Sequence, residues 1–239
     1  MRGRHIKKRR QKRSVGKREK VLKVAELLEG EYGKPVWAHE KHRPVDTLVG
    51  TILSQNTNDR NSVPAFNALR RAYPKWEQVL RADERRLAKV IRRGGLPQIK
   101  ARRIKGVLAE VKRRNGGITL APLARMKPQE AREWLMSLDG VGPKTAAVTL
   151  IFGFGMPVFP VDTHVFRVNK RLGLIGQKES YGKAHEILDE LIPDRKKASL
   201  HVNLLEHGRM VCTARKPKCG ACVLNRICPS AFKFPNFRR

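Results

Sequence analysis

Apolar residues recur at helical spacing along most of the chain. In VLKVAELL, which starts at Val21, valine, leucine and alanine return every three or four positions, and Gly30 and Gly33 offer an end to the helix. No segment shows the sustained alternation of a half-buried strand. The pattern predicts an all-α protein, with further helices in RPVDTLVGTILSQ, ERRLAKVIRR, KARRIKGVLAEVKRR, KPQEAREWLMSL and YGKAHEILDELIP.

Local residue types suggest where some of these helices begin. Asp46 is a candidate N-cap, because its carboxylate suits the free amides of a first turn. Pro128 suits a first helical turn, where its missing N–H costs nothing. The segment MPVFPV has strand-like composition, but two prolines in six residues favour an extended connector.

The stretch LDGVGPKTAAV predicts a tight turn between two helices. Gly140 and Gly142 flank Val141, and Pro143 follows at the expected helix start. Amides at such a start lie at the positive end of the helix dipole and suit a phosphate. Lys144 lies in the first turn, where a protonated amine is disfavoured, which suits a nucleophile. An ordinary helix start explains the same residues, so chemistry and structure both remain open here.

Charge suggests a polyanionic partner. The chain has 52 Lys and Arg against 21 Asp and Glu, a net charge of +31. Residues 1–20 hold eleven Lys/Arg and one Glu, a net +10, which leaves +21 for the rest. Basicity throughout the chain favours nucleic acid over a merely solvated surface. Residues 1–20, which are poor in apolar side chains, are expected to form a mobile basic extension.

Hydropathy argues against a membrane protein. No apolar run approaches the roughly 20 residues that span a bilayer, and no apolar stretch of a secretory signal follows the basic start. We therefore expect no membrane partner, an intracellular location in the cytoplasm or nucleoid, and a monomer.

All four cysteines lie in one short window. Cys212, Cys219, Cys222 and Cys228 follow the spacing C-x6-C-x2-C-x5-C. Such clustering in a chain of this kind indicates a metal centre rather than disulfides. The spacing leaves tetrahedral zinc and an iron–sulfur cluster both open.

Three motifs together resemble one family. The hairpin LDGVGPKTA, the segment VDTH at 161–164 and the cysteine loop HGRMVCTARKPKCGACVLNRIC are similar to the endonuclease III family of helix-hairpin-helix DNA glycosylases with an iron–sulfur cluster. The resemblance implies two helical domains with a cleft between them. Residues 43–156 would form a helical barrel carrying the hairpin. Residues 21–42 and 157–239 would form a second domain carrying a [4Fe–4S] cluster on the four cysteines.

The same resemblance implies catalytic roles for two residues. Lys144 would attack the sugar of the damaged nucleotide, and Asp162 would stabilise the positive charge that develops there. Read without the family, Asp162 is an N-cap of the helix that begins in THVFRV. Both uses are compatible.

The resemblance also implies a set of DNA contacts. Leu96 in GGLPQIKARRI matches the wedge that enters the stack, and either Gln55 or Asn56 in LSQNTND would fill the gap left by the extruded base. A polar turn is the plain interpretation of both amides. The remaining expected contacts come from the hairpin amides and from the loop between the first two cysteines: Gly140, Val141, Gly142, Arg215, Lys216 and Lys218.

The implied function is base-excision repair. We expect a DNA glycosylase with AP-lyase activity that removes oxidised or otherwise damaged pyrimidines from duplex DNA and nicks the strand by β-elimination. Abasic sites would be a second substrate. A monofunctional mismatch glycosylase for adenine or thymine is one alternative, although Lys144 and the eleven residues after Cys228 argue against the adenine type. A non-catalytic DNA-binding protein is the other.

Overall fold

The computed structural model describes residues 2–35 and 43–234, with side chains described from residue 16 onward. Within these ranges the chain is helical and has no strand, which confirms the all-α prediction. Its helices are α1 (Arg2–Tyr32), α2 (Pro44–Ser54), α3 (Asp59–Ala72), α4 (Trp76–Arg81), α5 (Glu84–Val90), α6 (Pro97–Asn115), α7 (Pro128–Met136), α8 (Pro143–Phe154), α9 (Thr163–Arg171), α10 (Tyr181–Leu191) and α11 (Asp194–Met210). None of them is both long and apolar enough to cross a bilayer.

The chain divides into two compact units. The terminal unit comprises Met1–His39 and Pro157–Arg239, and the central unit comprises Glu40–Met156. The terminal unit carries α1 and α9 to α11 with the cysteine loop, and the central unit carries α2 to α8. Each unit has its own set of buried apolar side chains.

The core of the terminal unit forms where α1 packs against α10 and α11. Its α1 members are Val21, Val24, Ala25 and Leu28, all essentially inaccessible to solvent. These positions lie three or four residues apart, so they share one face of the helix. The same core includes apolar side chains of α9, α10 and α11 and of the extended segment before α9.

Helix α1 begins well before Val21, the start that the apolar pattern predicts. The backbone of residues 2–20, expected as a mobile extension, continues the same helix. Two of its lysines contact the turn that follows α9: Lys17 Nζ donates to the carbonyl of Leu174 at 2.8 Å, and Lys20 Nζ donates to that of Leu172 at 2.6 Å. Lysine and arginine are also good helix formers, and the segment contains no proline. Apolar periodicity does not reveal this part of the helix, where the contacts of Lys17 and Lys20 are polar.

The central unit is organised by the packing of α2 against α8. The two helices are antiparallel, because the start of α2 meets the end of α8. A Cβ atom at Gly153 would lie 3.0 Å from the Cα atom of Pro44, so the backbones approach closely there. Helix α8 also carries two small buried residues nearer its start, Ala146 and Ala147.

The prediction that Asp46 is an N-cap is wrong. Helix α2 begins at Pro44, with Arg43 as its N-cap, and Asp46 lies inside the first turn. The Asp46 carboxylate instead accepts a hydrogen bond from the indole N–H of Trp76 at 3.0 Å. Proline pre-sets the backbone of a first turn, which places the start of α2 at Pro44. The Asp46 carboxylate is then available to bind the Trp76 indole.

Two leucines on α1 test how much its buried face contributes. We expect Leu28→Ala to lower the free energy of unfolding by about 2–5 kcal/mol, because Leu28 is fully buried. Leu22 is 41% exposed on the same helix, so Leu22→Ala should change it by less than about 0.5 kcal/mol. Thermal and urea denaturation followed by circular dichroism measure both. Equal losses would contradict the assigned face of α1.

Candidate functional site

The hairpin between α7 and α8 is a tight turn that glycine makes possible. Leu138 and Val141 are buried at its base, and the Val141 amide donates to the Leu138 carbonyl at 3.1 Å. Gly140 has a φ of +76°, and a Cβ atom there would lie 2.0 Å from Arg103 Nε. A side chain at Gly140 would therefore strain the backbone and displace Arg103.

The second half of the turn starts α8 as the sequence predicts. Gly142 is the N-cap with extended backbone, and its carbonyl accepts the Ala146 amide at 3.0 Å. Pro143 occupies the first helical position and the half-buried Lys144 the second. Residues 136–142 line a shallow open concavity beside this helix start. The site thus presents amides and an amine at the positive end of α8.

Gln55 is tied to the hairpin rather than left as a polar turn. Its side-chain amide donates to the Gly140 carbonyl at 3.2 Å and to the Thr145 hydroxyl at 3.1 Å. Its carbonyl oxygen accepts a hydrogen bond from Arg103 at 2.6 Å. One side chain therefore joins the end of α2, the hairpin turn and α6. Sequence reasoning did not identify Arg103, since it lies 48 residues from Gln55.

Asn56 and Leu96 share an unusual backbone state. Their φ angles are +53° and +48°, in the left-handed region that most residues avoid. Both side chains are exposed, Leu96 to 46%. An exposed leucine held in strained backbone is unexpected on stability grounds alone, and such residues cluster at functional positions.

Asp162 caps α9, as its position before THVFRV predicts. Its carboxylate accepts the Val165 amide at 2.7 Å. The Tyr181 hydroxyl donates to the Val161 carbonyl, beside this cap. Burial, and secondarily the charge of Asp162, raise the pKa of Tyr181 to about 12, so it stays protonated as a donor. The segment that presents Asp162 is thereby held on both sides.

The four cysteines surround one small pocket after α11. None of them is in a disulfide, and all four line the pocket together with Arg171 and Phe234. No three His, Cys, Asp or Glu side chains in the described part of the chain converge on a site for a single ion. Four free thiols that line one pocket can supply sulfur ligands to a metal centre.

Polar groups stand ready to stabilise sulfur in its charged form. Arg171 Nη1 lies 3.3 Å from Cys212 Sγ, and His207 Nε2 lies 3.4 Å from Cys222 Sγ. Burial raises the pKa of the Cys222 thiol to about 11, so thiolate at this position depends on a bound metal. Donors at thiolate sulfurs are the outer contacts that a metal–sulfur centre requires. The residues present therefore fit an iron–sulfur cluster.

His207 is itself oriented by Tyr32. The Tyr32 hydroxyl lies 3.0 Å from His207 Nδ1. Burial lowers the pKa of His207 to about 4, so the ring is neutral near pH 7. A Tyr32 hydroxyl donated to Nδ1 leaves the Nε2 proton for Cys222. The sequence offered one signal for this role, a histidine five residues before the first cysteine.

The basic loop between Cys212 and Cys219 is held by hydrogen bonds from Arg171, at the end of α9. Arg171 donates to the carbonyls of Thr213 and Ala214 at 2.7 and 2.9 Å. The Thr213 hydroxyl donates to the Lys216 carbonyl at 2.7 Å. The cations that the sequence singled out are all exposed on this loop: Arg215, Lys216 and Lys218.

Two glycine substitutions in the central unit should act in opposite directions. Gly140→Ala should lower the free energy of unfolding by about 1–3 kcal/mol, because it combines a positive φ with displacement of Arg103. Gly106→Ala, on α6 with open space around it, should raise it by about 0.5–1 kcal/mol. Denaturant titration measures both. A neutral Gly140→Ala would show that the turn relaxes without cost.

Removing one thiol should prevent the cysteine pocket from holding an iron–sulfur cluster. We expect Cys222→Ala to lose the visible absorbance and the bound iron of the purified protein, since three thiolates hold a cluster far less well than four. Met210→Ala, an exposed position at the end of α11, should retain both. Iron analysis and absorbance spectra decide the matter. Full iron content in Cys222→Ala would remove Cys222 from the ligand set.

Comparison with known proteins places these features in one family. The profile of the HhH-GPD superfamily of base excision DNA repair proteins matches residues 49–194. The iron–sulfur binding domain of endonuclease III matches residues 212–228, which run from the first cysteine to the last. This match decides between the zinc and iron–sulfur alternatives in favour of the cluster.

Individual relatives are consistent with the family matches. Endonuclease III of Sulfolobus acidocaldarius is 34% identical over 184 residues, which cover 76% of this chain and 80% of that protein. A protein of Arabidopsis thaliana is 37% identical over 177 residues, but the chain spans only 60% of its length.

Solved structures share the fold. A trapped covalent intermediate of endonuclease III with DNA has a TM-score of 0.77 and 28% identity, covering 90% of this chain and 97% of that one. A thermostable thymine-DNA glycosylase has a TM-score of 0.74 and 25% identity, covering 91% and 98%. The chain therefore belongs to the endonuclease III family of helix-hairpin-helix base-excision DNA glycosylases, with a [4Fe–4S] cluster in its C-terminal cysteine loop.

Proposed function

We propose that the protein binds duplex DNA, excises damaged pyrimidines and then cleaves the strand at the resulting abasic site. The observation that carries this proposal is Lys144 in the first turn of α8, directly after the Gly140–Gly142 turn. A lysine at the start of this helix gives the glycosylase an amine nucleophile. The covalent DNA complex trapped for the related endonuclease III supports the same chemistry here.

Lys144 performs the first covalent step. Its amine nitrogen attacks C1′ of the damaged nucleotide, the bond from C1′ to the base breaks, and the base leaves with a proton from solvent. The nitrogen then loses one proton, the ring oxygen O4′ takes up a proton as the C1′–O4′ bond breaks, and a protonated Schiff base forms between Lys144 and C1′. This imine acidifies the C2′ proton. Removal of that proton expels the 3′ phosphate and leaves a nicked strand.

Asp162 supports the same step electrostatically. The Val165 amide fixes the direction of its carboxylate at the start of α9. Positive charge develops on the sugar as the base departs, and the preorganised Asp162 carboxylate stabilises that charge. The same carboxylate assists proton transfer at the sugar.

The DNA contacts divide into insertion and backbone binding. Leu96 enters the stack as a wedge, and Asn56 fills the space opposite. We prefer Asn56 to Gln55 for this role because the Gln55 side chain is bonded to Gly140, Thr145 and Arg103. Phosphates are held by hairpin amides and the exposed cations of the cysteine loop: Gly140, Gly142, Arg215, Lys216 and Lys218.

The contribution of Val141 is structural. Its side chain is buried, and its amide already donates within the turn to Leu138. Val141 therefore shapes the phosphate site from inside the hairpin. The cluster ligands complete the proposed site residues: Cys212, Cys219, Cys222 and Cys228.

Thymine excision from a mismatch is the second candidate. The likeness to a thermostable thymine-DNA glycosylase favours it, since that enzyme shares the fold over nearly its whole length. A mismatch enzyme would release thymine from a duplex that carries no oxidised base. Lys144 favours the bifunctional reaction.

Borohydride trapping tests the nucleophile. Wild type should form a covalent adduct with an abasic-site duplex and with one carrying an oxidised pyrimidine, because borohydride reduces the Schiff base. Lys144→Ala should form none, and Asp162→Asn should slow excision roughly 10²–10⁴-fold. Lys112→Ala, an exposed lysine of α6, should trap like wild type.

Other results select other functions. Release of thymine from a mismatch without any adduct would select the monofunctional enzyme. Tight DNA binding with neither product nor adduct would make the protein a DNA-binding protein without catalysis.

A further inference from the structure

Lys100 is a buried lysine of α6 that the proposed chemistry does not use. It is 2% exposed and is one of the largest fully buried side chains among the described residues. The ammonium donates to the Leu53 carbonyl at 2.6 Å and to the Gly94 carbonyl at 2.8 Å. Burial lowers the pKa of Lys100, and the nearby charge of Arg103 lowers it further. A cation kept in such a place needs a function that an apolar side chain cannot supply.

The two carbonyls belong to the two segments that carry the left-handed residues. Leu53 lies in the last turn of α2, three residues before Asn56. Gly94 ends a short 3-10 turn, two residues before Leu96. Lys100 is therefore bonded at once to the main chain just ahead of both exposed side chains. These segments lie about 40 residues apart in sequence, and one ammonium binds the main chain of both.

Packing reinforces the same junction. A Cβ atom at Gly94 would lie 3.3 Å from Ala65 Cβ and 3.8 Å from the Leu53 carbonyl oxygen. Arg103, one turn beyond Lys100 on α6, holds the side chain of Gln55 at 2.6 Å. Helix α6 thus fixes the end of α2 at two points and the Gly94 turn at a third.

We propose that Lys100 is a positioning residue that fixes the spacing between Leu96 and Asn56, so that both side chains enter the duplex together when a base is extruded. The inference rests on the proposed function, in which these two residues insert. Extrusion costs a few kcal/mol of stacking and pairing. Two inserting groups offset that cost only if they occupy the vacated space simultaneously. A displacement of about 1 Å in such positioning can cost about 10²-fold in rate.

Lys100→Met tests the inference, since methionine is also long but lacks donors. We expect the ratio of affinities for an abasic-site duplex over an undamaged duplex to fall at least tenfold. The fluorescence of 2-aminopurine placed opposite the lesion should lose most of its rise on binding. Excision should slow far less on a substrate whose target nucleotide is bulged out, because extrusion is then no longer required. A general loss of folding would slow both substrates equally.

The same helix provides a matched control. Lys105 Nζ donates to the Ala82 carbonyl, in the turn between α4 and α5. Lys105→Met removes a lysine–carbonyl bond from α6 without touching either inserting segment. It should keep the affinity ratio and the fluorescence change of wild type. A similar loss in Lys105→Met would assign the effect to α6 as a whole.

A double-mutant comparison separates positioning from stability. If Lys100 acts through Leu96, then Lys100→Met should have little further effect on the affinity ratio in a Leu96→Ala protein. Additive losses would overturn the inference while leaving the role of Leu96 intact. Full discrimination by Leu96→Ala alone would instead overturn the proposed insertion and, with it, the purpose assigned to Lys100.

Gly94→Ala keeps the inference testable if Lys100→Met does not fold. The added methyl group would lie 3.3 Å from Ala65 Cβ, so the contact must open by a few tenths of an ångström while Lys100 itself is unchanged in sequence. It should reduce the affinity ratio in the same direction, again without affecting the bulged substrate. Unchanged discrimination in Gly94→Ala would show that the spacing of the two segments does not matter.

Discussion

The close antiparallel packing of α2 and α8 is the constraint on which the central unit depends. Gly153 allows the end of α8 to meet Pro44, and small buried residues continue the contact along the helix. Because the pair is antiparallel, the start of α8 lies beside the end of α2. This arrangement brings Gln55, at the end of α2, beside the hairpin turn and the first turn of α8. A bulky side chain at Gly153 would separate the helices and disperse these groups.

Cations serve inside the protein as well as on its surface. Lys20, Lys100 and Arg171 each donate to main-chain carbonyls of segments that have no regular partner for them. Irregular backbone must satisfy its polar groups somewhere, and an ammonium or guanidinium offers several donors at once. A net charge of +31 therefore overstates the charge available to a polyanion. Part of the basic composition therefore maintains the shape of irregular backbone.

Features that depend on neighbouring residues could be predicted from the sequence. The start of α8 at Pro143, the cap formed by Asp162 and the grouping of the four cysteines all follow from short-range patterns. Contacts between distant segments could not. Asp46 leaves its expected cap for an indole 30 residues away, and Gln55 is fixed by partners 48 to 90 residues away. Apolar periodicity likewise gave no sign that α1 extends ahead of Val21, where Lys17 and Lys20 make polar contacts.

The junction at Lys100 also bears on how such an enzyme changes its substrate over evolutionary time. Lys100 donates to main-chain oxygens, so these two hydrogen bonds do not depend on which side chains the neighbouring segments carry. Under the proposed insertion, substitutions at Asn56 and Leu96 would alter what enters the helix stack while the segments keep their geometry. Lys100 itself has no such freedom, since a side chain that is too short or lacks donors would not make these two hydrogen bonds. Selection can thus vary the side chains at positions 56 and 96 while the lysine that positions their segments is retained.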